Sequence, residues 1–303
     1  MKVSLCMSRT MYAICHHFRL GRPYYVLPVV ATAIAGYWSG SDTLPVCTEA
    51  GLVSVVFFLL GMSCWAANEI TDRQSDARGR TKTRWPLYVS GGTNIISTGM
   101  VSVRSALIYV VSLSTVGLSI AASLGISFCC LSALFLLIGL AYSFKPVRLK
   151  ERGILGLAAV AAAYGMVTFT AGWVASGQHP TGECFLFACI LSVGFFGFEG
   201  IAHLLDHEQD RRNDETTMAV SLGCETTRNV LAICQCLPPF ALMLLGVLAQ
   251  SPLPDLNIVL LVPLLFLSAF IATLTAKCQN EASLCSLRVF SVPLMSILAF
   301  LIA

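Results

Sequence analysis

Residues 50–76 read AGLVSVVFFLLGMSCWAANEITDRQSD. No residue from Ala50 to Ala67 is charged, and oxygen-bearing side chains then recur at Asn68, Asp72 and Asp76. An uncharged run of about 18 residues or more is long enough for a helix to cross the hydrocarbon core of a bilayer. The stretch therefore reads as a membrane helix whose end carries an acidic motif, and the rest of the chain repeats the theme. Of 303 residues, 56% are hydrophobic and 12% charged, about half the charged share of a soluble domain. Apolar runs predict about nine spans, at roughly 24–39, 50–68, 103–122, 124–143, 154–176, 184–203, 229–249, 257–276 and 285–302. The third and fourth are split near Ser123, with Gly125 as the break, because the combined run is about twice one crossing. The expectation is an all-α integral membrane protein forming a single domain over residues 1–303.

Charge supports this count. With nine spans, all 19 Lys and Arg residues fall on the side of the N-terminus. Cytoplasmic loops carry the excess of Lys and Arg, which puts the N-terminus in the cytoplasm and the C-terminus across the membrane. The net charge of +3 then reflects topology, and no nucleic-acid partner is expected. The 13 cysteines lie mostly in apolar runs and include no C-x₂-C pair, so they read as small buried side chains. The first span lacks a cleavage site and reads as a retained helix.

Two acidic motifs stand out. The second span ends in N-x-x-x-D-x-x-x-D (68–76), and the sixth in D-x-x-x-D-x-x-x-D (206–214). Residues four apart share a helix face, so each motif aims three oxygen donors in one direction if its helix continues. Like charges at that spacing repel unless a cation sits on them. Hard oxygen donors suit Mg²⁺, which bridges carboxylates to substrate phosphates. Two such stripes on the cytoplasmic face predict a diphosphate held by two Mg²⁺ ions, with departure of the diphosphate leaving an allylic cation. Asp72 and Asp210 are the central candidates. Basic groups around this face, among them Arg22, Arg84, Lys145, Arg148 and Lys150, are candidate diphosphate clamps. An apolar cavity would shield the cation, with Trp65, Phe195, Phe196 and Phe198 as candidate lining. Glu199 is the one acidic residue inside a span. With His203, Asp206 and Asp210 it forms a helical stripe, which makes it either a base facing the cavity or a packing carboxyl.

At these residues the chain resembles the UbiA superfamily of membrane prenyltransferases. The resemblance rests on Arg22-Pro23, the 68–76 motif, the segment YSFKPVRLK (142–150), and HLLD (203–206) running on through Asp214 to Thr217-Met218-Ala219 and Leu222-Gly223. It implies nine helices around a central cavity, with cytoplasmic cap loops over two Mg²⁺ ions and a prenyl diphosphate. Carried over, Asn68, Asp72, Asp76, Asp206, Asp210 and Asp214 hold the metals, and Arg22, Lys145, Arg148 and Lys150 face the diphosphate. The expected function is transfer of a prenyl group to an aromatic or lipid acceptor in the bilayer. The alternative is a terpene cyclase of the same superfamily, which would cyclise farnesyl or geranylgeranyl diphosphate with no acceptor. A transporter is disfavoured, because the acidic groups gather at one face and not at the midplane.

Overall fold

The computed structural model describes residues 2–41, 47–78, 94–248, 267–277 and 281–302. Arg84 and the first part of the 257–276 run lie outside the described residues, as does the side chain of Asp76. Among the described residues every regular element is helical. In chain order these are α1 (Lys2–Leu20), α2 (Pro23–Ser39), α3 (Cys47–Arg78), α4 (Val103–Ser123), α5 (Ile126–Ser143) and α6 (Ile154–Ala162). They continue with α7 (Thr168–Ala175), α8 (Gly182–Glu199), α9 (Ile201–Arg212), α10 (Met218–Leu222) and α11 (Cys224–Leu248). The last are α12 (Leu267–Lys277) and α13 (Glu281–Ile302).

Among the described residues, six helices are long and apolar enough to cross a membrane: 48–75, 103–123, 126–143, 154–175, 182–199 and 224–245. α2, α12 and the apolar part of α13 are shorter. The break between α4 and α5 comes where expected, with Gly125 at φ 123°, a backbone conformation that favours glycine. Residues 154–175 form one run in which a π turn at Ala163–Val167 joins α6 to α7. The 32 residues of α3 make a helix about 48 Å long at 1.5 Å per residue. That is well beyond the roughly 30 Å of hydrocarbon, so its C-terminal turns, which carry the first acidic motif, extend past the apolar layer.

α1 was not anticipated, because its sequence is too polar to register as a span. It is amphipathic and ends on buried Leu20. Gly21 and Arg22 then turn the chain into α2, with Arg22 in the left-handed region at φ 47°.

The core forms two main apolar clusters. One gathers Leu191, Phe195, Phe198 and Leu231 with residues of α13 such as Met295. The other gathers Val29, Phe57, Leu60, Phe128 and Phe135 from α2, α3 and α5. α2 contributes to both, and Tyr164 on the π turn packs against both. Between them lies the cavity described below.

α2 and α7 approach closely because glycines interlock. A Cβ at Gly36 would stand 2.0 Å from the Phe169 carbonyl oxygen, and one at Gly172 would stand 2.0 Å from that of Ala33. Without a hydrophobic drive between helices in lipid, such small-residue crossings supply the packing. Gly172→Leu is expected to destabilise the detergent-solubilised protein by about 1–3 kcal/mol or more, read as a lowered thermal unfolding midpoint. Gly51→Ala, where nothing lies within 4 Å, should leave that midpoint nearly unchanged.

Candidate active site

α3 runs without interruption through its motif. Its cavity face presents Trp65, Asn68, Asp72 and Ser75. Asn68 Oδ1 accepts a hydrogen bond from Ser143 Oγ at 3.3 Å, which ties the motif to the end of α5. Glu69, on another face of the helix, is buried and paired with Arg22.

The second motif behaves differently. α8 ends at Glu199, Gly200 intervenes, and α9 carries the chain onward. Across that joint the predicted stripe holds, and Glu199, His203, Asp206 and Asp210 all line one cavity. The helix then stops at Arg212, before the motif is complete. Asp214 sits in the left-handed region at φ 56° and is exposed. It therefore leaves the stripe, contrary to the expectation of three donors on one helical face. The reversal turns Glu215 inward, where its N–H donates to the Asp210 carbonyl at 2.9 Å and its buried side chain joins the cavity wall.

The loop after α5 folds over this region. Gly153 N–H donates to the Thr216 carbonyl at 2.7 Å, which pins the loop to the segment that follows the second motif. Lys150 is thereby buried and lines the cavity. Its Nζ pairs with Asp72 and lies 3.3 Å from Glu215 Oε2. Arg148, at φ 39°, reaches Glu215 Oε1 at 3.2 Å and Asp72 at 3.7 Å, and also pairs with Glu151. Lys145 is not brought to the site. It is exposed and absent from the cavity wall, because the chain turns back after Pro146 and only the later basic residues point inward.

The electrostatics of the site favour positive charge beside its carboxylates. Burial, and then the adjacent Asp206 carboxylate, push the Asp210 carboxyl up to about 8. Burial pulls the Lys150 ammonium down, but the Asp72 and Glu215 carboxylates outweigh it and leave its pKa above the ordinary lysine value. Among the described residues, no group of three or more His, Cys, Asp or Glu side chains is gathered tightly enough to hold an ion. Mg²⁺ keeps several waters and uses one or two protein carboxylates plus substrate phosphates. Asn68, Asp72, Asp206, Asp210 and Glu215, facing a common space from two helices and a loop, are a donor set of that kind.

Deeper in, the cavity is lined by Phe135, Tyr142, Leu157, Val160 and Tyr164. Of the four aromatic residues expected from the sequence, only Trp65 lines it. Phe195 and Phe198 are buried in the core and Phe196 packs against that core; the Phe195 ring packs on that of Tyr164 at 5.5 Å, and it is Tyr164 that lines the cavity. The Arg22 guanidinium lies 4.8 Å from the centre of the Trp65 ring. Arg288, on α13, donates to Glu199 Oε2 at 3.5 Å and lies 5.3 Å from the centre of the Tyr25 ring.

Sequence reasoning passed over Glu215 and Arg288. Glu215 falls one residue beyond the motif, and nothing local announces that Asp214 reverses the chain. Arg288 counted only as a topological charge, although its position early in the last apolar run put it at about the depth of Glu199. If Glu215 and not Asp214 completes the site, Glu215→Gln should lower diphosphate release at least about tenfold. Asp214→Asn should change it by less than about threefold, both measured with saturating Mg²⁺ and a prenyl diphosphate.

Comparison with known proteins agrees with this geometry. A UbiA homologue from Archaeoglobus fulgidus bound to DMAPP and Mg²⁺ superimposes with a TM-score of 0.72 at 18% identity, covering 94% of this chain and 98% of that one. The same homologue bound to GPP and Mg²⁺ gives 0.68 at 17% identity, covering 95% and 99%. An apo UbiA homologue from Aeropyrum pernix K1 gives 0.70 at 21% identity, covering 92% and 97%. At such identities the likeness speaks for the fold. The bacteriochlorophyll synthase 34 kDa chain of Chloroflexus aurantiacus is 34% identical over 139 residues, which are 46% of this chain and 41% of that protein. The matched stretch thus spans less than half of that relative's length. The UbiA prenyltransferase family as a whole matches residues 29–291, from within α2 to within α13 and through both acidic stripes. With the helical fold and the facing stripes already in place, that match means that the chain belongs to the UbiA prenyltransferase family.

Proposed function

We propose that the chain transfers the isoprenyl group of a prenyl diphosphate to a hydrophobic acceptor within the bilayer, releasing diphosphate in a Mg²⁺-dependent reaction. One observation carries this reading. Oxygen donors of α3 and α9 face one cavity, and that cavity continues past them into an apolar and aromatic chamber. The Archaeoglobus fulgidus homologue binds GPP or DMAPP with Mg²⁺, which supports the same class of ligand here.

In this reading Asn68 and Asp72 on one side, and Asp206, Asp210 and Glu215 on the other, hold two Mg²⁺ ions. Asp76, the third donor of the first motif, is a further candidate by its sequence position, whereas exposed Asp214 stands outside this donor set. Bound Mg²⁺ supplies the positive charge that stabilises the departing diphosphate. Lys150, on the cavity wall, and Arg148, behind it against Asp72 and Glu215, move from carboxylate partners to diphosphate partners, since both present several donors. Arg22, at the cavity wall, keeps its Glu69 partner and borders the space for the prenyl diphosphate. The apolar chamber takes the prenyl tail, and its walls of Phe135, Tyr142 and Tyr164 keep water from the allylic cation. Aromatic faces also stabilise such a cation. The basic face, and with it the N-terminus, lies on the cytoplasmic side, with the C-terminus opposite.

The test uses the purified protein in proteoliposomes with Mg²⁺ and farnesyl or geranylgeranyl diphosphate, with and without a membrane lipid extract as the source of acceptor. Turnover that needs the extract is expected, and Asp72→Ala and Asp210→Ala should each lower it at least about 100-fold. A cyclic hydrocarbon or alcohol formed without any acceptor would assign the chain to the terpene cyclases instead. Full activity in either Ala variant would remove the metal-site argument.

A further inference from the structure

Glu199 and His203 line the cavity but lie deeper than the carboxylates that would hold the metals. Glu199 is seven residues before Asp206, roughly 10 Å further in at 1.5 Å per residue. Each has one side already occupied. His203 Nδ1 accepts a hydrogen bond from the Met218 N–H at 3.3 Å. A neutral ring in that position carries its hydrogen on Nε2, which is then a donor. The hydrogen bond of Glu199 runs from Arg288 to Oε2 alone, at 3.5 Å. Its side chain is 19% exposed, whereas that of Arg288 is 6% exposed, and the space that Glu199 faces is the cavity. One helix face thus presents a donor and an acceptor side by side, four residues apart, within the apolar chamber.

Local charge then selects a ligand class. The cations at this depth are already matched, Arg22 with Glu69 and Arg288 with Glu199. An organic carboxylate seated here would face the Glu199 carboxylate in a low-dielectric space with no cation left over, which is strongly unfavourable. A neutral hydroxyl compound meets a complementary pair, because its oxygen accepts from His203 and its proton is directed to Glu199.

We propose that Glu199 and His203 form the subsite for the second substrate, a neutral hydroxyl-bearing acceptor such as a phenol, an enol or an alcohol, whose proton Glu199 receives. This rests on the transfer reading given above. The C1–O bond of the prenyl diphosphate breaks, and both electrons leave with the diphosphate. A bond forms between C1 and the nucleophilic oxygen or ring carbon of the acceptor. The proton displaced from that acceptor passes to the Glu199 carboxylate and returns to water when the product departs. Arg288 is a positioning residue that holds the Glu199 carboxylate toward the chamber.

The test uses the full chain in nanodiscs with Mg²⁺ and geranylgeranyl diphosphate. The acceptor probes are 1-naphthol and 1-dodecanol, with 1-naphthoate as the carboxylate control. Wild type should prenylate a neutral probe and not 1-naphthoate. Glu199→Gln, which keeps the shape of the side chain, should lower transfer about 100-fold or more, the range of lost proton-transfer catalysis. Its affinity for geranylgeranyl thiodiphosphate should stay within about twofold of wild type, and Glu199→Asp should recover part of the transfer. Wild-type transfer undiminished in Glu199→Gln would overturn the subsite and leave the transferase standing, as would a preference for 1-naphthoate. Failure of wild type to prenylate either neutral probe would also overturn the subsite. A cyclic product formed by wild type with no probe present would overturn the transfer reading, and the subsite with it.

Discussion

Lys150 stands between Asp72 of the first motif and Glu215 beside the second, and the site is organised around that shared contact. Carboxylates drawn together in a cavity with little water repel one another unless a cation intervenes. Lys150 and Arg148 serve as that cation. Their contacts bring three pieces of chain together: the end of α3, the loop after α5 and the turn after α9. In the proposed reaction, a diphosphate bound with Mg²⁺ would give the two basic side chains a new anionic partner and the carboxylates a new cation.

The membrane imposes a second constraint, met in the same way. Two ion pairs border the inner cavity, Arg22 with Glu69 and Arg288 with Glu199. Each Arg also lies over an aromatic ring, Trp65 or Tyr25. A lone charge at that depth is costly, whereas a paired one can be held at a fixed place. The cavity is thus graded from a charged mouth, through paired ions, to an apolar chamber. The π turn at Ala163–Val167 places Tyr164 at the junction of the two apolar clusters, on the chamber wall. π turns within α-helices often occur at functional sites.

Some of this was legible before any coordinates. Helical spacing alone puts Asn68, Asp72 and Asp76 on one helix face, and Glu199, His203, Asp206 and Asp210 on another, because periodicity is a local property that packing rarely alters; of these, all but Asp76, whose side chain is outside the described residues, line the cavity. The α4–α5 break at Gly125 was legible for the same kind of reason. The basic residues were harder. Lys145, Arg148 and Lys150 look equivalent in a list of cations near the membrane face, yet only the last two turn inward. That choice depends on Gly153 pairing with Thr216, a contact between segments about sixty residues apart. The aromatic residues failed similarly: hydrophobicity shows that Phe195, Phe196 and Phe198 are in a helix, but not which side of it meets the cavity.

The sequence by itself determined that the chain is a bundle of apolar helices with two acidic stripes at one face. Those features follow from length, hydropathy and a period of 3.6 residues, each written in consecutive residues. Only the tertiary structure decided that Glu215 and not Asp214 faces the cavity, that Arg288 pairs with Glu199, and that Lys150 links Asp72 of the first motif to Glu215 just after the second. These outcomes depend on one positive-φ residue ending a helix early and on side chains from distant segments sharing a low-dielectric space. Coulomb energy there is set by separation in space and not by separation along the chain.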